Sequence, residues 1–196
     1  MDTITHYGTQ FASFAIYSTT DNILFIEPEV GNIGVYYALV VGITLNLLVV
    51  PKQFFIPNII ERRKPLSETA RRAGWTGCNI LLEEIPHSGR IYLVKNRVSE
   101  PKEAVLAGWQ RTLFLRDKKD MKAKGWLLDV MRCIEKLSQT EFKLVDIYKF
   151  ESELSKKHPE NQHIKEKIRQ QLQTLRDNGY LEFSGKGCYR KRGSYE

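Results

Sequence analysis

Lys165, Arg169, Gln170 and Gln173 recur along the string HIKEKIRQQLQTLRDNG at residues 163–179, and Asn161, Gln162 and His163 lead into it. These side chains make hydrogen bonds and ion pairs. Gln or Asn can pair with an adenine edge, and Arg or Lys with guanine. A basic stretch follows, in which Lys186, Arg190, Lys191 and Arg192 are candidate phosphate contacts. Cations of that kind set affinity and salt dependence rather than sequence choice.

The elements that must position these groups can be read from the pattern. Ile164, Ile168, Leu172 and Leu175 form one apolar stripe at helical spacing, leaving the polar residues on the other faces. Gly179 stands where a helix C-cap glycine belongs. The string YLEF-SGKG-CYRKR then predicts a two-stranded hairpin with a glycine-flanked tip. Upstream, Trp126, Val130, Ile134 and Leu137 fall on one helix face, and TEFKL at 140–144 suits a short strand. DIYKFESELSKK predicts an amphipathic helix using Ile147, Phe150 and Leu154, stopped by Pro159, and Asn161 is an N-cap candidate for the last helix. The order helix, strand, helix, helix, hairpin is that of a winged helix-turn-helix, with the last helix in the major groove and the hairpin on phosphate. The bland alternative is a small α/β domain that docks on protein.

Composition bounds the rest. The chain has 196 residues, a net charge of +7 and a pI near 9.3, which favours a polyanionic partner. Cys78, Cys133 and Cys188 form no CxxC pair, so a disulfide framework and a structural zinc site are not expected, and a reducing cytoplasm fits. Residues 31–50 carry no charge over twenty positions. A bilayer span needs roughly 20 apolar residues, but this run contains Asn32, Thr44 and Asn46 among β-branched residues. Two adjacent buried strands broken near Gly42 are the expectation, with a membrane tether as the alternative. Beyond it, LNLLVV and IYLVKN (91–96) predict strands, PKQFFIPNIIERRKPL a connection with a short helical turn, and residues 100–116 a helix bearing Val105, Trp109 and Leu113. The charged run RDKKDMKAKG at 116–125 predicts a turn-rich domain boundary.

Several strings in order, VVPKQFFIPNII, PLSETARRAGWTGCNI, SGRIYLV, LFLR and HIKEKIRQQLQTLRDNGYLEFSGKGCYRK, resemble the DpnI-type, or Dam-replacing, restriction endonucleases. The likeness runs from about Asn46 to Lys191. It implies a catalytic domain of the PD-(D/E)xK type followed by a winged helix, and cleavage of double-stranded DNA at GATC carrying 6-methyladenine. It also implies that the loop holding Trp75 lies against DNA near the methylated adenines, with Arg71 and Arg72 on phosphate. Read from residues alone, Trp75 between Gly74 and Gly77 could equally be a core tryptophan at a strand-to-loop junction, and the two arginines a solvated basic helix end.

The chemistry of cleavage needs an Asp and a Glu-x-Lys holding magnesium. The family places that set, and its zinc cysteines, upstream of VPKQF. There this chain offers only Asp2, Asp21, Glu27 and Glu29, with no lysine and no CxxC. Glu100-Pro101-Lys102 matches by letter but reads as a loop, and Asp117-Lys118-Lys119 as a solvated run. The expectation is therefore α/β or α+β: an unmatched segment at 1–44, a remnant of a nuclease-like α/β domain at 45–122, and a winged helix at 123–196. No catalytic or metal-ligating residue, magnesium or zinc is carried over, as in a truncated member that has lost its nuclease centre. The partner is double-stranded DNA with methylated GATC, bound by a monomer, with no membrane. A non-catalytic winged-helix regulator and a membrane-tethered DNA binder are the alternatives.

Overall fold

The computed structural model describes residues 5–8, 14–18, 23–24, 34–37, 46–118 and 120–193, the first four segments through their backbone. Its contacts define two compact units, residues 1–54 with 87–117, and residues 55–86 with 118–196.

In chain order the first strands are β1 (Thr5–Gly8), β2 (Phe14–Ser18), β3 (Ile23–Leu24), β4 (Gly34–Tyr37) and β5 (Leu47–Pro51). Next come β6 (Ile60–Arg62) and β7 (Cys78–Ile80), which belong to the second unit, and then β8 (Ile91–Lys95) and β9 (Val98–Ser99). The first unit holds a sheet of order β3-β2-β5-β8-β9, antiparallel at every pairing, and a separate β1-β4 pair. Antiparallel pairing throughout makes the fold α+β. Leu48, Val49 and Val50 of the central strand β5 are all buried, which is why LNLLVV reads as a continuous apolar run rather than an alternating one. The uncharged stretch at 31–50 thus supplies β5 and, separately, β4, whose partner is β1 rather than β5. The expected break near Gly42 lies outside the described residues. Among the described residues no helix is long and apolar enough to cross a membrane.

Helix α1 (Lys102–Arg111) is shorter than expected, and Leu113 falls in a separate 3-10 turn at Leu113–Leu115. Helix α2 (Met121–Lys136) starts inside the run expected to be turn-rich. The Asp120 carboxylate accepts a hydrogen bond from the Lys122 amide at 2.9 Å, and this cap lets MKAKG form the first turns.

The second unit then follows the winged-helix order. Strand β10 (Glu141–Lys143) leads to α3 (Leu144–Tyr148) and α4 (Glu151–Lys157), so the single helix expected over DIYKFESELSKK is broken at Lys149 and Phe150. Helix α5 (Ile164–Asp177) buries Ile164, Ile168, Leu172 and Leu175, the stripe seen in the sequence. Asn161 is not its N-cap. The Asn161 Oδ1 accepts from the His163 amide at 2.8 Å in an Asx turn, and His163 takes the cap position. At the other end Gly179 has φ +71°, its amide donates to Arg176 O at 2.9 Å, and Tyr180 N donates to Leu175 O at 2.9 Å. That pair of bonds is a Schellman motif, which a side chain with Cβ would strain. The wing is β11 (Leu181–Gly185) and β12 (Cys188–Lys191), joined through Lys186 and Gly187 in a sheet of order β10-β12-β11.

The unit border also differs from the expected one. Residues 55–86, placed by sequence with 45–122, pack with residues 118–196. Ile56 Cδ1 lies 3.6 Å from where a Cβ on Gly125 would be, so the bare backbone of α2 admits that side chain. Glu84 adds ion pairs to Arg132 and Lys157.

Candidate nucleic-acid interface

The apolar stripe of α5 turns the opposite face outward. Lys165, Glu166, Arg169, Gln170, Gln173 and Arg176 are all exposed, whereas Gln171 is buried on the inner side. The exposed set is ordered by neighbours. Arg169 Nη1 donates to Tyr148 Oη at 2.9 Å, and its Nη2 to Glu166 Oε1 at 2.8 Å. Lys165 Nζ lies 3.2 Å from Glu151 Oε2 and 5.7 Å from the centroid of the Tyr148 ring. The hydrogen bond to Tyr148 and the nearby Glu166 hold the guanidinium firmly in its charged form. Gln170 and Gln173 stand on the same outer surface, with amides able to form paired hydrogen bonds. Tyr148 was not singled out by sequence. It sits 21 positions from Arg169, beyond any helical periodicity, and nothing local marks it.

The wing cations separate into three kinds. Lys186 occupies the exposed tip. Arg190 is exposed but paired, with Nη2 2.6 Å from Glu141 Oε1 and Nη1 3.9 Å from Glu182 Oε2. Arg192 is exposed just beyond β12. Lys191 corrects the sequence reading. It is 8% exposed, and its ammonium donates to the Leu137 carbonyl at 2.5 Å, at the C-terminal end of α2. Burial pushes its pKa down, with Glu135 opposing. A side chain so placed supports the fold and does not reach phosphate.

Trp75 and its neighbours lie on the loop between β6 and β7. Arg63 N donates to Gly77 O at 3.0 Å, Leu66 N to Trp75 O at 2.8 Å, and Gly74 N to Leu66 O at 3.2 Å, so the backbone bonds itself into a closed turn. Gly74 has φ +77°, the left-handed conformation that glycine adopts freely. A Cβ on Gly77 would lie 2.9 Å from Trp75 Cη2, so the indole rests on a glycine that leaves room for it. Trp75 is 53% exposed. Its exposure sets aside the reading of a core tryptophan. Arg71 and Arg72 are exposed in the same loop, in a turn and not at a helix end.

A half-buried charge network ties this segment to the winged helix. Asp129 Oδ2 lies 2.9 Å from His158 Nε2, and its Oδ1 3.1 Å from Lys157 Nζ and 3.5 Å from Arg132 Nη1. His158 in turn stacks on Trp126, with ring centroids 3.8 Å apart. Burial pushes the Asp129 carboxyl up, but the His158 hydrogen bond and the Lys157 ammonium more than offset it and hold it below the usual range. Glu84, in a turn just after β7, closes the network through Arg132 and Lys157. Asn161, Gln162 and His163 line a cleft of about 740 Å³ beside Trp126 and His158.

Magnesium or zinc finds no fit among the described residues, where no group of three or more His, Cys, Asp and Glu is close enough to hold a metal ion. Glu100 follows β9 and Lys102 opens α1, so that pair does not share a strand. Asp2, Asp21, Glu27 and Glu29 lie outside the described residues. Cys133 is buried, and its thiol is pushed up to about 12 by burial and the nearby Glu153, which leaves it inert as a nucleophile.

Two family models match in succession, the Dam-replacing family over residues 31–118 and the Dam-replacing HTH domain over residues 122–191. The first begins at residue 31, so residues 31–44 belong to the matched stretch rather than to an unmatched leader. The chain belongs to the Dam-replacing family, the DpnI-type restriction endonucleases, and carries its DNA-binding winged helix.

Proposed function

We infer that the chain recognises double-stranded DNA at GATC carrying 6-methyladenine. The observation that carries this reading is the outward face of α5, where Arg169, Gln170 and Gln173 stand together beside a wing that ends in Lys186. Arg169 has the fork geometry that suits guanine, and the glutamine amides suit an adenine edge. A 6-methyl group removes one donor from adenine and adds an apolar surface. The exposed indole of Trp75, held in the same compact unit as α5, supplies an aromatic face for such a group. Arg71, Arg72, Lys186 and Arg192 take phosphate in this reading, and Arg190 does so on leaving Glu141.

The reading is confined to recognition, since no group of His, Cys, Asp and Glu able to hold a metal ion is found among the described residues. No magnesium-dependent step is assigned to this chain. Neither the non-catalytic winged-helix regulator nor the membrane-tethered DNA binder is favoured by a specific observation. The test is a paired assay on duplexes with fully methylated and unmethylated GATC, scoring binding without metal and cutting with magnesium. Selective binding to the methylated duplex without cutting supports the reading, and equal binding to both defeats it.

A further inference from the structure

We propose that Tyr148 is a specificity-setting positioning residue: its hydroxyl holds the Arg169 guanidinium in the orientation that meets a guanine edge. The proposal rests on the reading of α5 as the base-contacting helix.

The geometry is two-sided. Glu166 grips Arg169 Nη2 from within the same helix at 2.8 Å, one turn before it. Tyr148 grips Nη1 from α3 at 2.9 Å. An exposed arginine otherwise samples many rotamers, and fixing one before binding removes that entropy from the association step. Glu166 alone leaves the fork free to swing about a single contact. A second acceptor on the other nitrogen fixes its plane. Tyr148 suits this task because its ring is itself held, with Lys165 Nζ 5.7 Å from its centroid on the preceding turn of α5. The neighbouring Asp146 is committed elsewhere. It accepts from Lys149 Nζ at 2.8 Å and from the Lys143 amide at 2.9 Å, so it caps α3 rather than competing for Arg169. A hydroxyl acceptor also adds no second negative charge beside a guanidinium already paired with Glu166, as a carboxylate in that place would. The fork has five N–H groups, so donors remain for a guanine edge after both contacts are made.

A mutant cycle tests this. Binding is measured without metal on a methylated GATC duplex and on a GATC-free duplex, for the unaltered chain, Tyr148→Phe, Arg169→Ala and the double variant. Tyr148→Phe keeps the ring and its contact with Lys165, and removes only an outward hydroxyl, so folding is retained. Selectivity for GATC is expected to fall about fivefold in Tyr148→Phe, as loss of one ordinary exposed hydrogen bond would give. Affinity for the GATC-free duplex and its salt dependence should stay unchanged. In the Arg169→Ala background the tyrosine change should have no further effect. Unchanged selectivity in Tyr148→Phe overturns the proposal while leaving the helix reading intact. An equal loss in both backgrounds also overturns it, since the tyrosine then acts independently of Arg169. If Arg169→Ala itself retains full selectivity, the reading beneath the proposal fails first, and the two failures are told apart.

Discussion

The Lys191 ammonium donates to the Leu137 carbonyl at 2.5 Å, tying the end of the wing to the end of α2 across 54 positions of sequence. Nearby, Tyr180 Oη donates to Glu135 Oε1 at 2.8 Å, which places a carboxylate close to the buried lysine. Helix ends leave carbonyls without intrahelical partners, and Lys191 satisfies one of them. Lys191→Ala should therefore destabilise the fold by about 2 kcal/mol, the range for removing one partner of a charged buried hydrogen bond. Urea titration checks this. The salt slope of DNA binding should not change, and a reduced slope at full stability would return Lys191 to the phosphate contacts.

Lys186 is expected to behave in the opposite way. Lys186→Ala should weaken binding to every duplex alike and reduce the magnitude of the salt slope by about 1, with no loss of stability. Arg190→Ala should show a smaller change in slope, because Arg190 is already neutralised by Glu141 and Glu182. Titrations across a salt series measure both.

Trp75 is half outside the fold, so its removal should spare stability and affect selection. Trp75→Ala is expected to lower the preference for methylated over unmethylated GATC about tenfold, the scale of one base-stacking contact. Gly77→Ala should reproduce part of that loss, because the new methyl group would meet the indole at 2.9 Å and displace it. Melting temperatures of both variants should stay close to that of the parent chain. A Trp75→Ala chain that unfolds would make the ring a packing element after all.

Much of the winged helix was legible because its signals are local. The stripe Ile164, Ile168, Leu172 and Leu175, the glycine at 179 and the glycine-flanked wing tip each specify structure within a few residues. What escaped is non-local. Nothing near Lys191 announces a buried acceptor at Leu137, so a cation in a basic run read as a phosphate contact. Nothing in PKQFFIPNII or LLEEI shows that Ile56 and Glu84 find their partners on α2 and α4 rather than on the preceding strand. The run at 116–125 looked turn-like because charge dominated it, yet one Asp cap was enough to start α2 there. Trp75 was undecided for the same reason, since exposure is a property of the assembled fold.

Asp129 gives the chain an acid sensitivity of known sign. Its folded-state pKa lies below the ordinary aspartate value of 3.8, so the stabilisation from its partners is complete above that value and disappears as pH falls through the lower, folded-state one. Asp129→Asn should destabilise the chain by about 3 kcal/mol at pH 7, leaving Lys157 and Arg132 short of an anion. The gap between the two proteins should narrow once the pH drops below 3.8. Urea unfolding at pH 7 and pH 3 compares them, and a gap that widens at low pH would contradict the network.

The central claim is methyl-selective reading of GATC, and equilibrium binding to matched duplexes tests it most directly. Titration of the full chain, without metal, onto methylated and unmethylated GATC duplexes should show tighter binding to the methylated form by about tenfold or more, with Arg169→Ala/Gln170→Ala erasing most of that preference. Equal affinity for both duplexes, unchanged by the double substitution, would contradict the account and leave α5 as a sequence-blind contact to the DNA backbone.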